Sequence, residues 1–292
     1  LSIGSARAFS LINPSFEANS VTNLPSTSPG NSSFESAPPP RPNPGFVITA
    51  ETNVNGWTTT DVGIELWQSG FNGVQSANVD NGNQFAEVNA TQNKGIFQDI
   101  TLGATANTPL YFNFWHRARE NGNGQGAGSI QVNAITVTIT DSVDGIFGNG
   151  NDNNVFSAVF ATQLNPAALG SNNGWVNYSS LASGLNIPLN TGATAGDRLF
   201  RYGFIATQLT ATTPNYYGTS AAGVTTPIAV TTTNTDISFG NFLDNANFGD
   251  DPTFSTPVPF DFEANVGIGI LGALYFGRKA FKSWKNKKDN SN

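Results

Sequence analysis

The chain has one histidine, His116, set between Trp115 and Arg117 in YFNFWHRAR (111–119), with Arg119 and Glu120 close by. A single imidazole cannot build a multi-histidine metal site. Paired with Glu87 it has the residue types for proton transfer, but no serine or threonine in a nucleophile setting accompanies it. Glycoside hydrolysis needs two carboxyl groups at a set separation, one of them with a raised pKa. Glu65, Glu87, Asp99 and Glu120 are the acids available in strand-like stretches, and no rule of spacing pairs them. Asp141, Asp144 and Asp152 lie in DSVDGIFGNGNDNN (141–154), which lacks the D-x-[DN]-x-[DN]-G spacing of a calcium loop with its closing glutamate. Asn and Gly are turn formers first, so a long polar hairpin is expected there. Flat aromatic faces are what an apolar sugar face stacks on. Trp57, Trp67, Trp115 and Trp175 are core residues by habit in a β protein. Tyr216 and Tyr217, in TPNYYGTS, are the exposed candidates for ligand binding, on a loop.

The elements that must position these residues are strands. Apolar residues alternate in QFAEVNA (84–90), YFNFWHRAR, SIQVNAITVTITD (129–141), RLFRYGFIAT (198–207) and TDISFGNFLDNANF (235–248), with Gly, Asn and Pro between the runs. SIQVNAITVTITD changes face near Ala134, which predicts a bulge there. No long amphipathic helix precedes residue 260. The fold class that follows is all-β, a β-sandwich or jelly roll. We assign 9–249 to that domain, 250–259 to a Pro-rich linker and 260–292 to a separate tail; 24–46 is a Pro/Ser-rich surface insertion. Residues 1–8, ending in Ala6-Arg7-Ala8, have the small-x-small form of a signal-peptidase site and are expected to be a signal-peptide remnant.

Charged residues make up only 11% of the chain, and Asn, Thr, Ser and Gly supply the polarity, as in extracellular β proteins with long turns. Residues 1–277 hold seven basic residues against 19 acids, a formal charge of −12. Such a body repels phosphate, which excludes a nucleic-acid partner. There is no cysteine, so disulfides, cysteine-ligated zinc and thiol catalysis are excluded.

Several stretches occur in a familiar order: NPSFE (13–17), GWTTT (56–60), IELWQSGFNGV (64–74), GNQFAEVNA (82–90), GIFQDI (95–100), FWHRAR (114–119) and GNFLDNANF (240–248). Together they resemble the galactose-binding-like jelly-roll modules of bacterial surface proteins, over about 240 residues. The resemblance implies a non-catalytic jelly roll whose first and last strands lie close together. It implies that Glu17 and Asp244, at those two ends, could hold a structural Ca2+, an ion that takes six to eight oxygens. The shared HR-x-R stretch implies a buried polar network of Glu87, His116 and Arg117, and Trp67, inside a matched stretch, is implied to be core. Many such modules bind glycans on a sheet face or at loop tips.

The tail VPFDFEANVGIGILGALYFGRKAFKSWKNKK is of another kind. Its 13 uncharged residues from Asn265 to Gly277 include Gly267, Ile268, Ile270, Leu271 and Leu274, and Arg278 and Lys279 open a run of six basic residues. As a helix the uncharged part spans ~20 Å against the ~30 Å of a bilayer core. A short motif, a brief apolar segment and a basic cluster resemble the PEP-CTERM class of sorting signals, processed by exosortases in Gram-negative envelopes, with VPFDF in place of V-P-E-P. A short hydrophobic helix, at least transiently in the membrane, is expected. The expected protein is an exported, non-enzymatic cell-surface module. Its partners are an extracellular polysaccharide or matrix component, the membrane and an exosortase-like protease. The alternative is a self-associating subunit of a surface layer or filament.

Overall fold

Period-two runs of Phe, Ile, Val and Tyr bury one face of each strand and leave the other polar, and two such sheets close on each other. The computed structural model describes residues 11–27, 45–77, 82–104, 107–119, 131–142, 144–164, 169, 173–181, 189–190, 196–208, 216–220 and 240–252. All of these fall within the unit Leu1–Pro257. The strands are β1 (Phe46–Thr49), β2 (Thr58–Thr59), β3 (Ile64–Gln68), β4 (Gln84–Glu87), β5 (Gly95–Ala104), β6 (Pro109–Arg117) and β7 (Gln131–Ser142). They continue as β8 (Asp152–Leu164), β9 (Val176–Ser179), β10 (Leu189–Asn190), β11 (Gly196–Thr207), β12 (Tyr216–Ser220) and β13 (Phe242–Gly249).

One sheet runs β1-β3-β4-β13-β6-β10, with β9 also on β6; the other runs β12-β8-β7-β11-β5-β2. Pairing is antiparallel except between β12 and β8, which are parallel. The chain passes from β4 in the first sheet to β5 in the second, back to β6 and across again to β7, the wrapping expected of a jelly roll. Between the sheets lies the main core. Phe160 sits at its centre, with the rings of Phe112, Phe114, Phe156, Tyr178 and Tyr217 around it at centroid distances of 5.0–6.5 Å.

Strands β3 and β4 break the alternation because both of their faces are covered. Beyond the first sheet, on the side away from the main core, Trp67, Phe85, Trp175 and Phe242 form a second aromatic cluster, closed by Val74 and Phe71 of the 69–77 loop. Trp67 is therefore core, as implied.

Two expectations are corrected. Strand β7 runs regularly through Ala134; its irregularity against β8 lies between Ile139 and Thr140. The change of face read from the sequence arises because Val132 and Ala134 pack with Val159 and Ala161 in a small cluster on the opposite side of the sheet. Tyr216 and Tyr217 lie on strand β12, not in a loop, and Tyr217 stacks on Phe160. The signal remnant 1–8, nearly all of the Pro-rich insertion and the tail 260–292 lie outside the described residues. No helix among the described residues is long and apolar enough to cross a membrane.

Candidate functional site

On β11 the residues Phe200, Tyr202, Phe204 and Ala206 face the core, so Leu199, Arg201, Gly203, Ile205 and Thr207 face outward. Register extends this outward face in rows. Arg201 lies opposite Asp99 of β5 and Thr140 of β7; Gly203 lies opposite Phe97 and Thr138; Ile205 lies opposite Gly95 and Thr136.

Arg201 Nε donates to Asp99 Oδ1 at 2.7 Å and Nη2 donates to Oδ2 at 2.8 Å, a bidentate pair whose side chains are 32% and 35% exposed. The guanidinium lies between two rings, 3.9 Å from the centroid of Phe97 and 4.2 Å from that of Phe147. Planar Arg suits both contacts, since its faces stack on rings while its edge donates. Pairing to Asp99 uses two of five N–H donors, so donors and carboxylate lone pairs are left for a hydroxylated ligand. Gly203 keeps the floor beside this stack low. A Cβ there would stand 2.9 Å from Thr138 Oγ1 and 3.5 Å from Phe97 Cβ. Hydroxyls of Thr136, Thr138 and Thr140 and the half-exposed Ile205 complete the surface.

None of Phe97, Phe147 or Arg201 stands out in the sequence as a site residue. The signal was present: period two puts Phe97 on the polar face of GIFQDI and Arg201 on the polar face of RLFRYGF. What was not visible is that a residue 54 positions before Arg201, in a hairpin, covers it.

A second polar site joins the two ends of the domain. Glu17 Oε1 accepts the backbone N–H groups of Asn83 and Gln84, both at 2.8 Å. Asp244 accepts those of Ala77 at 3.0 Å and Asn245 at 2.8 Å. Burial pushes both carboxyls up, and the charge of Glu17 pushes Asp244 further. Phe16 and Asn245, beside the two acids, hold φ of 63° and 45°, a region that costs a non-glycine residue energy and recurs where backbone groups are aimed. A methyl on Gly82 would come within 2.6 Å of Glu17 Oε1. No group of three or more His, Cys, Asp or Glu capable of holding a metal occurs among the described residues, so further oxygens would come from carbonyls and amides.

The buried polar residues do not form the single network expected. His116 turns toward the main core: Nδ1 is 2.7 Å from Thr162 Oγ1 and Nε2 is 3.1 Å from Asn241 Oδ1. Burial lowers its pKa to about 4, so the ring is neutral at pH 7. Arg117 points to the other side of the sheet and donates to the Asn173 and Ala118 carbonyls. The cation beside Glu87 is Arg119, whose Nη1 lies 3.2 and 3.3 Å from the two carboxylate oxygens, while its guanidinium stacks on Trp67. Strand alternation sends residues 116 and 117 to opposite faces, and the exit of the chain after β6 lets Arg119 fold back over β4.

Glu87 also accepts the Gly240 N–H at 2.6 Å and lies directly across from Glu65, with which it shares a hydrogen bond. Glu65 accepts Trp67 Nε1–H at 2.7 Å. Burial is the main cause that raises both carboxyls, Glu87 to about 7 and Glu65 well above its usual range. Two carboxyls bonded to each other inside the protein leave no room for the sugar that a glycosidase pair must straddle.

The described residues thus define a two-sheet β-sandwich with an aromatic–guanidinium stack on the outside of one sheet. No protein-family profile matches the chain, and no curated protein matches it. Among solved structures, the CBM22-1–CBM22-2 tandem of Paenibacillus barcinonensis Xyn10C aligns at 13% identity and TM-score 0.35, over 70% of this chain and 48% of that one. This chain therefore spans about half of that tandem. The xylan-binding CBM22-2 domain alone aligns at 13% identity and TM-score 0.34, over 70% of this chain and 96% of that one. TmCBM61, in complex with β-1,4-galactotriose, aligns at 9% identity and TM-score 0.30, over 68% and 90%.

Proposed function

We propose that the body is a non-catalytic glycan-binding module, that its binding surface is the outward face of β5, β11 and β7, and that its ligand is an uncharged polysaccharide chain. One observation carries this reading: Phe97, Arg201 and Phe147 are stacked and anchored to Asp99 on an open, hydroxyl-bearing sheet face. A sugar presents an apolar C–H face and a rim of hydroxyls. Rings take the first, and fixed planar donors and acceptors take the second. Asp99 compensates the charge of Arg201, and the body is acidic, so a polyanionic glycan would find no net attraction.

Affinity electrophoresis through gels holding xylan, mannan or galactan tests the reading. The wild-type protein is expected to be retarded by at least one of them. Arg201→Ala and Phe97→Ala are expected to weaken that retardation at least tenfold with circular dichroism unchanged. Indifference to all neutral polysaccharides, or equal binding by both variants, counts against it.

The same proposal includes a structural Ca2+ held by Glu17 and Asp244. Buried Asp244, whose carboxyl is raised first by burial and further by the charge of half-buried Glu17, gives with Glu17 a pair of acids that fits a divalent cation, and their backbone N–H partners leave lone pairs on each. It also includes export, with the 260–292 tail as a membrane-sorting signal. The intact mass of the protein recovered from cell envelopes is expected to lack the tail; a mass that retains it in cells with an exosortase removes that part of the proposal.

A further inference from the structure

We infer that Phe147 is a specificity-determining wall of the binding face and that Asp144 is the residue that positions it. The inference rests on the binding face proposed above.

Phe147 belongs to the hairpin between β7 and β8, not to the sheet. That hairpin reads DGIFGNGND from Asp144 to Asp152, with Gly145, Gly148 and Gly150 at φ of 78–86°. So many glycines give the free loop high entropy, and nothing lies within 4 Å of where their Cβ atoms would be. Apart from the seat of Phe147 on Arg201, the loop is held by its own hydrogen bonds. Asp144 accepts from Ile146 N at 3.1 Å, Asn149 Nδ2 at 2.6 Å, Asn151 Nδ2 at 3.3 Å and Ser142 Oγ at 3.3 Å. Asp152 Oδ2 accepts Gly148 N–H at 2.6 Å, which closes the other side of Phe147. These bonds bracket two apolar residues in an otherwise polar tip. Phe147 is set over Arg201, and Ile146, at 62% exposure, is presented beside it.

Asp144 itself stands in solvent and touches neither ring. Its hydrogen bonds order the loop before any ligand arrives, so binding does not bear that entropy cost. They also keep its carboxyl below the usual carboxylate range, through Asn151 first and then Ile146 and Asn149.

The test has two arms. Without ligand, the Arg201 Nε–H proton resonance reports the two rings stacked on the guanidinium. Phe147→Ala is expected to move it downfield by removing one ring current. Asp144→Ala is expected to reproduce most of that shift, and Asp144→Asn, which keeps one oxygen for the Ile146 amide, part of it. Melting temperature should change by less than about 2 °C, since Asp144 is exposed. With xylan, mannan or galactan in the gel, whichever retards the wild type, Asp144→Ala and Phe147→Ala are both expected to bind about tenfold more weakly. An unmoved Arg201 resonance in Asp144→Ala overturns the positioning role. Unchanged selectivity among the three glycans in Phe147→Ala overturns the specificity role. If the wild type binds none of them, the binding-face reading and the specificity role fall together, and the resonance alone decides the positioning role.

Discussion

Glu87→Ala is expected to destabilise the domain by about 3–5 kcal/mol, the range found when one partner of a buried ion pair is removed. The substitution strips Arg119 of its carboxylate and leaves the Gly240 N–H without its acceptor. For a domain of this size that corresponds to a fall in melting temperature on the order of 10 °C. Glu65→Gln, across the sheet, is expected to behave differently. Glu65 is raised further than Glu87, which makes it the donor of the shared hydrogen bond, so a glutamine can donate to Glu87 in its place and still accept Trp67 Nε1–H. Little change is expected at pH 6. The native Glu65 pKa is raised, so the unfolded chain gives up its proton first. This carboxyl therefore makes stability fall as pH climbs from its ordinary value toward its raised one. The His116 ring, lowered to about 4, contributes the opposite slope between about 4 and its ordinary 6.5. Glu65→Gln isolates the carboxyl's share: its thermal stability should fall less than that of the wild type as pH rises above the ordinary carboxylate range. A decline as steep in Glu65→Gln as in the wild type, or a Glu87→Ala variant that melts like wild type, refutes the arrangement.

The second large effect concerns calcium. In the metal-free protein, Asp244 and Glu17 carry pKa values raised by burial, so their contribution to stability also declines as pH rises. Ca2+ binds the ionised carboxylates, so the stabilisation it confers should grow with pH, the reverse trend. At a free concentration of about one hundred times Kd the gain is about 2.7 kcal/mol, or roughly 5–10 °C. Differential scanning fluorimetry at pH 5.5 and 8, with Ca2+ or EDTA, should show a small increment at the lower pH and a large one at the higher. Asp244→Asn and Glu17→Gln should abolish it. The absence of any Ca2+ increment at pH 8 in the wild type would falsify the site.

How much of this was legible depends on whether the cause is local. Strand type was legible because period-two burial is written into runs such as RLFRYGF, and Phe200, Tyr202 and Phe204 do face the core. That the charge of Glu17 reaches Asp244, 227 positions later, follows from the fold and not from spacing. The network expected of Glu87, His116 and Arg117 had the burial right and the partners wrong: Glu87 pairs with Arg119, and His116 bonds Thr162 and Asn241. Alternation sends neighbouring positions to opposite faces, so adjacency in His116-Arg117 meant separation. Tyr217 looked exposed because Pro, Asn and Gly flank it, yet a parallel strand beside β8 places it on the core.

Composition and alternation by themselves determined that this is a charge-poor, acidic all-β body without thiol chemistry. Those properties are sums and periods, and no contact is needed to evaluate them. Only the tertiary structure decided which side chains share the outward face of β5, β11 and β7, and that Arg119 rather than His116 neutralises Glu87. Only it brought Phe147, Arg201 and Asp99 into one stack. Each of these depends on register and on where a loop returns to the sheet, and both are set by packing of the whole sandwich rather than by nearest neighbours along the chain.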